Sequence, residues 1–161
     1  MKIFRFNRRP LSLATAGLTA LLLALPLALR AQTPSVSNLS TRAQVGTGGN
    51  ILITGLTIGP GANKTVLIRA TGPALTVFGV TGVLADPKLE LYNSAGAKIN
   101  ENDNWLAADA ATFTAVGAFP LTLNSRDAAL VTTLAPGGYT ALVRGVNNAS
   151  GLALVEIYEV P

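Results

Sequence analysis

The C-terminal part of the chain decides the fold, and it reads AALVTTLAPGGYTALVRGVNNASGLALVEIYEV over residues 128–160. Three short runs rich in Leu, Val, Ile, Thr and Tyr are separated by a Pro-Gly-Gly turn at 136–138 and an Asn- and Gly-rich turn at 147–151. β-Branched and aromatic residues between such turns are typical of strands. We therefore predict three strands, the last two forming a long hairpin. Val155 and Ile157 should share the core face, with Glu156 on the other.

The same pattern extends upstream. Further runs occupy residues 50–58, 65–70 and 88–92, and residues 93–96 (NSAG) are predicted to be a hairpin turn. The run at 65–70 is nearly continuous in apolar character, which predicts a central strand covered on both faces. Seven or eight short strands without alternating helices predict an all-β fold. The expected architecture is an antiparallel β-sandwich of the jelly-roll-like kind.

One stretch, residues 102–126, has little strand pattern, and a helical turn is predicted within it over residues 109–114. Connections of this length in a compact domain are usually functional or mobile. The alternative is that the stretch only crosses from one sheet to the other. The sequence leaves both interpretations open.

The first 31 residues have the composition of an export signal. Four basic residues (Lys2, Arg5, Arg8 and Arg9) precede the apolar stretch 11–29, and the small residue Ala31 follows. This order predicts a cleaved signal peptide over residues 1–31, a tether over 32–38 and a β-sandwich domain over 39–161. An uncleaved membrane anchor remains the alternative, and the paired arginines leave twin-arginine export open beside ordinary secretory export. The expected location is extracytoplasmic.

Removing the signal changes the charge balance. The chain has 12 Lys and Arg against eight Asp and Glu. Five of the basic residues lie within residues 1–31, which leaves seven basic and eight acidic residues, a net charge of −1. No basic patch survives, so we predict that nucleic acid is not a partner. The expected partner is an extracellular protein or polysaccharide, with membrane contact only through an uncleaved signal.

The chain contains no cysteine and no histidine. Disulfides and thiolate chemistry are therefore excluded, and the commonest general base is missing. With so few chemically active residues, we predict that the protein is not an enzyme.

The densest group of oxygen-bearing side chains is residues 100–104 (NENDN). Within it Asn102, Asp103 and Asn104 are the candidate ligands, to which the fold is expected to add Asp127 or Asp86. Calcium prefers carboxylate, amide and carbonyl oxygens, so this group is the candidate metal site and calcium the one candidate cofactor. The spacing is not that of an EF-hand. The alternative is a turn in which Asn and Asp side chains bond to nearby backbone.

Trp105, the only tryptophan, follows this cluster. An exposed indole would be a candidate binding residue that stacks on a sugar or anchors a partner. The alternative is a core residue beneath the long stretch.

Two arginines, Arg69 and Arg144, lie inside predicted apolar strands. A buried guanidinium needs a partner, so we predict structural ion pairs across the sheet, with Glu90 and Glu156 as the candidate acids.

Several stretches together carry a resemblance. Residues 67–73 (LIRATGP), 84–96 (LADPKLELYNSAG), 102–105 (NDNW) and 137–146 (GGYTALVRGV) resemble a β-sandwich module that recurs in secreted and surface proteins of environmental bacteria. The likeness covers nearly all of residues 36–160.

A more distant likeness is to the bacterial pre-peptidase C-terminal domains. It rests on residues 89–92 (LELY), 102–104 (NDN), 124–127 (NSRD) and 136–143 (PGGYTALV). That family consists of jelly-roll modules of secreted peptidases, some of which bind calcium or collagen. The resemblance therefore implies an accessory module.

Taken together, the sequence predicts a secreted or cell-surface, non-catalytic module for binding, adhesion or assembly. Two alternatives stay open. One is a calcium-dependent or carbohydrate-binding accessory module of a secreted enzyme system, and the other is a structural envelope subunit.

Overall fold

The structure, a computed structural model, describes residues 37–161. The predicted signal peptide and most of the predicted tether lie outside the described residues. Eight β-strands and one short α-helix, α1, make up the regular structure. Their bounds are β1 Asn38–Val45, β2 Leu52–Ile58, β3 Lys64–Thr71, β4 Pro87–Asn93, β5 Lys98–Asn102, α1 Ala110–Ala115, β6 Ala128–Leu134, β7 Gly137–Gly145 and β8 Gly151–Glu159. Three 3-10 helices lie at Pro73–Phe78, Ala107–Asp109 and Val146–Asn148.

The strands form two four-stranded sheets. Sheet A has the order β1-β8-β3-β6, sheet B has the order β2-β7-β4-β5, and every neighbouring pair is antiparallel. This arrangement confirms the predicted antiparallel β-sandwich. Strand β3 is central in sheet A and buried from Val66 to Thr71, as its apolar sequence predicted.

Six of the seven connections between strands pass from one sheet to the other. The exception is the β4–β5 hairpin, which confirms the predicted turn after Asn93. The predicted β7–β8 hairpin is wrong, because β7 belongs to sheet B and β8 to sheet A. Asn147 and Asn148 both have positive φ angles, 55° and 57°, and this left-handed pair turns the chain toward the opposite sheet.

The main core lies between the two sheets. It is built from the alternate, inward-facing residues of the strands, with Leu89 and Leu91 from sheet B packed against Ile68 and Val155 from sheet A. Removing these side chains from water is the main favourable contribution to folding. Val155 and Ile157 belong to this core and Glu156 lies on the other face, as predicted.

A second core lies on the outer face of sheet A. Residues 103–127, the connection from β5 to β6, are called the β5–β6 segment below. Phe113 and Leu121 from this segment pack with Leu67 and Tyr158 of sheet A. The segment therefore does cross between the sheets, and on its way it covers a sheet face. The predicted helical turn is α1.

Within residues 37–161, no helix is long and apolar enough to cross a membrane.

Candidate functional site

Arg69 is the centre of the second core. It comes from the middle of β3, faces outward from sheet A and is 0% exposed. Its Nε donates to Oε2 of Glu156 at 2.9 Å, and its Nη2 donates to the same oxygen. Arg69 and Glu156 are cross-strand partners in the β3–β8 pairing. The predicted ion pair is thus present, and it is fully withdrawn from water.

Three aromatic rings surround the guanidinium of Arg69. Its Cζ lies 4.3 Å from the ring centroid of Phe119, 5.1 Å from that of Phe113 and 5.8 Å from that of Tyr158. A desolvated cation near an aromatic ring is attracted by the ring quadrupole. In addition, Arg69 Nη1 donates to the backbone carbonyl of Phe119 at 2.6 Å. One side chain therefore fastens the β5–β6 segment to the sheet.

Tyr158 completes this polar network. Its hydroxyl donates to Oε1 of Glu156 at 2.6 Å, so the two carboxylate oxygens serve different donors. Burial, followed by the hydrogen bond to Glu156 and the charge of that carboxylate, raises the pKa of Tyr158 to about 12. The network is therefore stable with a neutral phenol at ordinary pH.

Arg144 forms the other predicted ion pair, on the outer face of sheet B. Its Nε donates to Oε2 of Glu90 at 3.2 Å, and the Tyr92 hydroxyl donates to the same oxygen at 3.2 Å. The guanidinium is 41% exposed. Because water screens this pair, it contributes far less than the buried one.

Asp127, one of the four predicted calcium ligands, is fully buried at the start of β6. Its Oδ1 accepts hydrogen bonds from the backbone N–H groups of Gly72 at 2.8 Å and Ala74 at 3.2 Å. Its Oδ2 accepts from the Ser125 hydroxyl at 2.7 Å. The carboxylate thus organises the start of the 3-10 helix after β3, and both of its oxygens are in use.

The other three predicted ligands lie close to Asp127 but form a turn. Asn102 Oδ1 accepts from the backbone N–H of Ala129 at 3.0 Å, and Asn102 Nδ2 donates to the carbonyl of Asn104 at 2.9 Å. Asp103 Oδ1 accepts from Asn104 Nδ2. Residues 37–161 contain no group of three or more carboxylate, histidine or cysteine side chains placed to hold a metal.

These hydrogen bonds decide how well the four residues fit calcium. A calcium ion needs six to eight oxygen ligands, whereas both Asp127 carboxylate oxygens, Asn102 Oδ1 and Asp103 Oδ1 already accept N–H or O–H donors. The arrangement fits the alternative interpretation, an Asn- and Asp-rich turn. Calcium binding by Asn102, Asp103, Asn104 and Asp127 stays a prediction that only a binding measurement tests.

Trp105 lies in the second core and is 8% exposed. Its Nε1 donates to Ser125 Oγ at 3.1 Å, its backbone N–H donates to the carbonyl of Asp127 at 2.8 Å, and its ring lies 5.5 Å from that of Phe113. An indole held in this way offers no open face to a sugar. The placement fits the alternative interpretation, a core residue beneath the long stretch.

Trp105 nevertheless lines a cavity of 370 Å³ within the β5–β6 segment. The other lining residues come from α1 and the chain after it: Ala110, Phe113, Thr114, Gly117, Ala118, Pro120 and Leu121. No lining residue carries a charge, and the Thr114 hydroxyl already donates to the carbonyl of Ala110. The cavity therefore suits a neutral, apolar group, and its volume falls within the range of ligand pockets.

Exposed apolar side chains gather on the connections next to sheet A. Leu106 and Leu123 of the β5–β6 segment are 61% and 66% exposed, and Val77 and Phe78 after β3 are 74% and 61% exposed. Phe78 contacts Phe119 edge-to-face, with ring centroids 5.3 Å apart, which joins the two connections. The sequence analysis missed these residues, although an apolar residue inside a Gly- and Asn-rich connection was the available signal.

Similarity to known proteins is found among solved structures. No family model matches the chain, and no curated protein matches it. Among solved structures, the chain is similar to the pre-peptidase C-terminal domain of a collagenase from Bacillus anthracis, with 10% sequence identity and a TM-score of 0.47. The match covers 79% of this chain and 99% of that one. The matched domain is of the kind named in the more distant resemblance from the sequence.

Proposed function

We propose that this protein is a secreted or cell-surface module that binds a partner protein without catalysing a reaction. The observation that carries the proposal is the 370 Å³ cavity beside Trp105, in a segment that also exposes Leu106 and Leu123. Leu106 follows Trp105 directly, and Leu123 lies two residues after the lining residue Leu121. Exposed apolar side chains so close in sequence to the lining of an uncharged cavity support an interaction site at this segment.

The chemistry of the cavity favours a protein partner over a polysaccharide. Sugars are recognised by exposed aromatic faces together with several polar groups, and here the Trp105 side chain is buried and the lining carries no charge. By contrast, the transfer of a Leu, Phe or Met side chain from water into an uncharged pocket is favourable. Such a side chain would act as the buried anchor of the interface.

Two further features belong to the proposal. The predicted signal peptide over residues 1–31 assigns the module to the outside of the cytoplasmic membrane. We also assign the sandwich to the jelly-roll type, because six of its seven connections alternate between the sheets. A structure of this kind holds its connecting segments at fixed positions, which suits presentation of a docking site.

The test uses small analogues of the expected anchor. Backbone amide spectra of the labelled protein are recorded during titration with N-acetyl-leucinamide and N-acetyl-phenylalaninamide, and separately with methyl glucoside. We expect the two amino-acid analogues to shift amide signals of α1 and of Trp105, and the sugar to leave them unchanged. A response to the sugar alone would favour the carbohydrate-binding alternative, and no response at all would refute the site.

A matched pair of variants tests whether the amino-acid analogues bind in the cavity. Ala110→Phe fills the cavity from an exposed helix position, whereas Ala111→Phe adds the same ring at an exposed position that does not line the cavity. Only Ala110→Phe should abolish the shifts. Equal effects of both variants would contradict the assignment to the cavity.

A further inference from the structure

Strand β1 is an eight-residue edge of sheet A. It pairs with β8 over its whole length, from Asn38 to Val45, and with no other strand. On the far side of β1, no backbone hydrogen bond links residues 38–45 to any other described residue. An edge of this kind presents a row of free N–H and C=O groups that can pair with another extended chain.

The other three sheet edges are less suited to pairing. In sheet B, β5 carries Lys98 and Glu101 and pairs with β4 through an irregular register. In sheet A, the β6 edge is used by the Asn102 side chain, which binds the N–H of Ala129. Strand β2 has Gly55 at its centre, where it weakens an added strand. Strand β1 has neither a glycine, a proline nor a bulge.

The inward side of β1 is open and apolar except at Thr41. Leu39, Thr41, Ala43 and Val45 face the space between the sheets, and Leu39 is 53% exposed. Leu39 borders a groove of 290 Å³ that also exposes Leu56 and Ile157 of the main core. An added strand would therefore place alternate side chains against Leu39 and the groove, and those side chains should be apolar.

The outward side of β1 carries an unpaired positive charge. Arg42 faces outward, is exposed and takes part in no ion pair with residues 37–161. The other basic residues of this part of the chain all do: Lys64, Arg69, Lys88, Lys98, Arg126 and Arg144. An acidic residue opposite Arg42 would complete a cross-strand pair. A second copy of β1 would instead bring two Arg42 side chains to one seam, where like charges repel.

We propose that an extended segment of a partner protein, with apolar residues alternating with acidic ones, adds to sheet A as a strand along β1. Main-chain hydrogen bonds would supply affinity, while Leu39 and Arg42 would select the side chains on the two faces. This surface is separate from the cavity beside Trp105, so either site can fail without the other.

The test uses a peptide of about ten residues in which valine alternates with glutamate or threonine, and its lysine counterpart. We expect the glutamate peptide to shift and protect the amides of residues 38–45 and to bind about fivefold more tightly than the lysine peptide. Arg42→Glu should reverse this preference. Leu39→Asn should weaken both peptides about equally, and Ile99→Asn, on the β5 edge, is the control that should change neither.

Several outcomes would overturn the proposal. One is protection of β2 or β5 amides with β1 unchanged. Another is a glutamate preference that survives Arg42→Glu. A third is sedimentation showing that the protein forms a dimer that Leu39→Asn dissociates, because the occupant of β1 would then be a second copy. The Ala110→Phe variant should bind the peptide normally, which separates this result from the proposed function.

Discussion

Replacing Arg69 by Met should be among the most damaging single changes in this protein. The guanidinium is 0% exposed and makes two hydrogen bonds to Glu156 and one to the Phe119 carbonyl. Arg69→Met leaves the Glu156 carboxylate buried without its counter-charge. Removing one partner of a buried pair costs about 3–5 kcal/mol. Since whole domains are stable by only about 5–15 kcal/mol, the variant should be partly unfolded or close to it.

The double variant separates the ion pair from simple packing. Glu156→Gln keeps an oxygen to accept from Tyr158 but removes the negative charge. In Arg69→Met/Glu156→Gln no uncompensated charge is buried. We therefore expect the double variant to lose at least about 2 kcal/mol less free energy of unfolding than the two single variants lose in sum. A matched control is Arg144→Met, whose pair with Glu90 is partly exposed and should cost about 1 kcal/mol or less.

Urea unfolding followed by Trp105 fluorescence and by circular dichroism measures these differences. Trp105 reports on the segment directly, because its ring packs 5.5 Å from Phe113, which in turn contacts Arg69. A cost for Arg69→Met no larger than that for Arg144→Met would refute the reasoning. So would additive single variants, because the ion pair would then contribute no coupling.

Three further substitutions and the addition of calcium test other contacts in the structure. The raised pKa of Tyr158 means that the stability contributed by its neutral phenol is complete below pH 10, its ordinary value, and is lost as the pH rises through about 12. Tyr158→Phe should remove both this pH dependence and the late tyrosine transition in an absorbance titration. Gly72→Ala would place a Cβ atom 2.0 Å from the Leu84 carbonyl and should cost about 1–3 kcal/mol, whereas Gly49→Ala meets nothing within 4 Å and should lower the thermal midpoint far less. Asp127→Ala should lower the free energy of unfolding by about 3 kcal/mol, because it leaves two buried N–H groups without an acceptor. Adding calcium to the unaltered protein tests the predicted metal site: a rise in the thermal midpoint would show that the folded protein binds the ion, and an unchanged midpoint would favour the turn interpretation.

The parts of the fold that follow from local pattern were predictable. The alternation in β4 and the turn after Asn93 give a hairpin whose partner strand lies next to it in sequence. The β7–β8 turn has the same local signs. Whether this turn closes a hairpin or crosses to the other sheet depends on two glycines that pack against Leu84. A Cβ added at Gly145 would lie 2.9 Å from a side-chain carbon of Leu84, and one added at Gly151 would lie 2.5 Å from its backbone nitrogen. Close approach to a residue about 60 positions away leaves no mark in the local sequence.

The residues of the candidate site also divide into those predictable from local sequence and those whose role depends on distant contacts. Arg69 and Glu156 were predictable as a pair, since charges within apolar strands must find each other. Asp127 looked like a metal ligand because its real partners, the N–H groups of Gly72 and Ala74, lie 55 and 53 residues earlier in the chain. A carboxylate does not reveal by itself whether a cation or backbone donors will satisfy it. Only the fold decides that.

The buried ion pair and the proposed docking cavity are mechanically linked through Phe113. This ring lines the cavity on one side and contacts the Arg69 guanidinium on the other. The cavity walls come from α1 and from the irregular chain on either side of it, and the six residues of α1 are too few to be stable as an isolated helix. Their position must therefore come from anchorage to sheet A, for which Arg69 supplies the hydrogen bond to Phe119.

If Arg69 holds the cavity walls in place, Arg69→Met/Glu156→Gln should fold but lose the response to N-acetyl-leucinamide. Strand addition along β1 should persist in the same variant, because the β1–β8 pairing does not depend on the β5–β6 segment. Loss of both responses together would mean that the ion pair holds sheet A itself, and not only the segment packed on it.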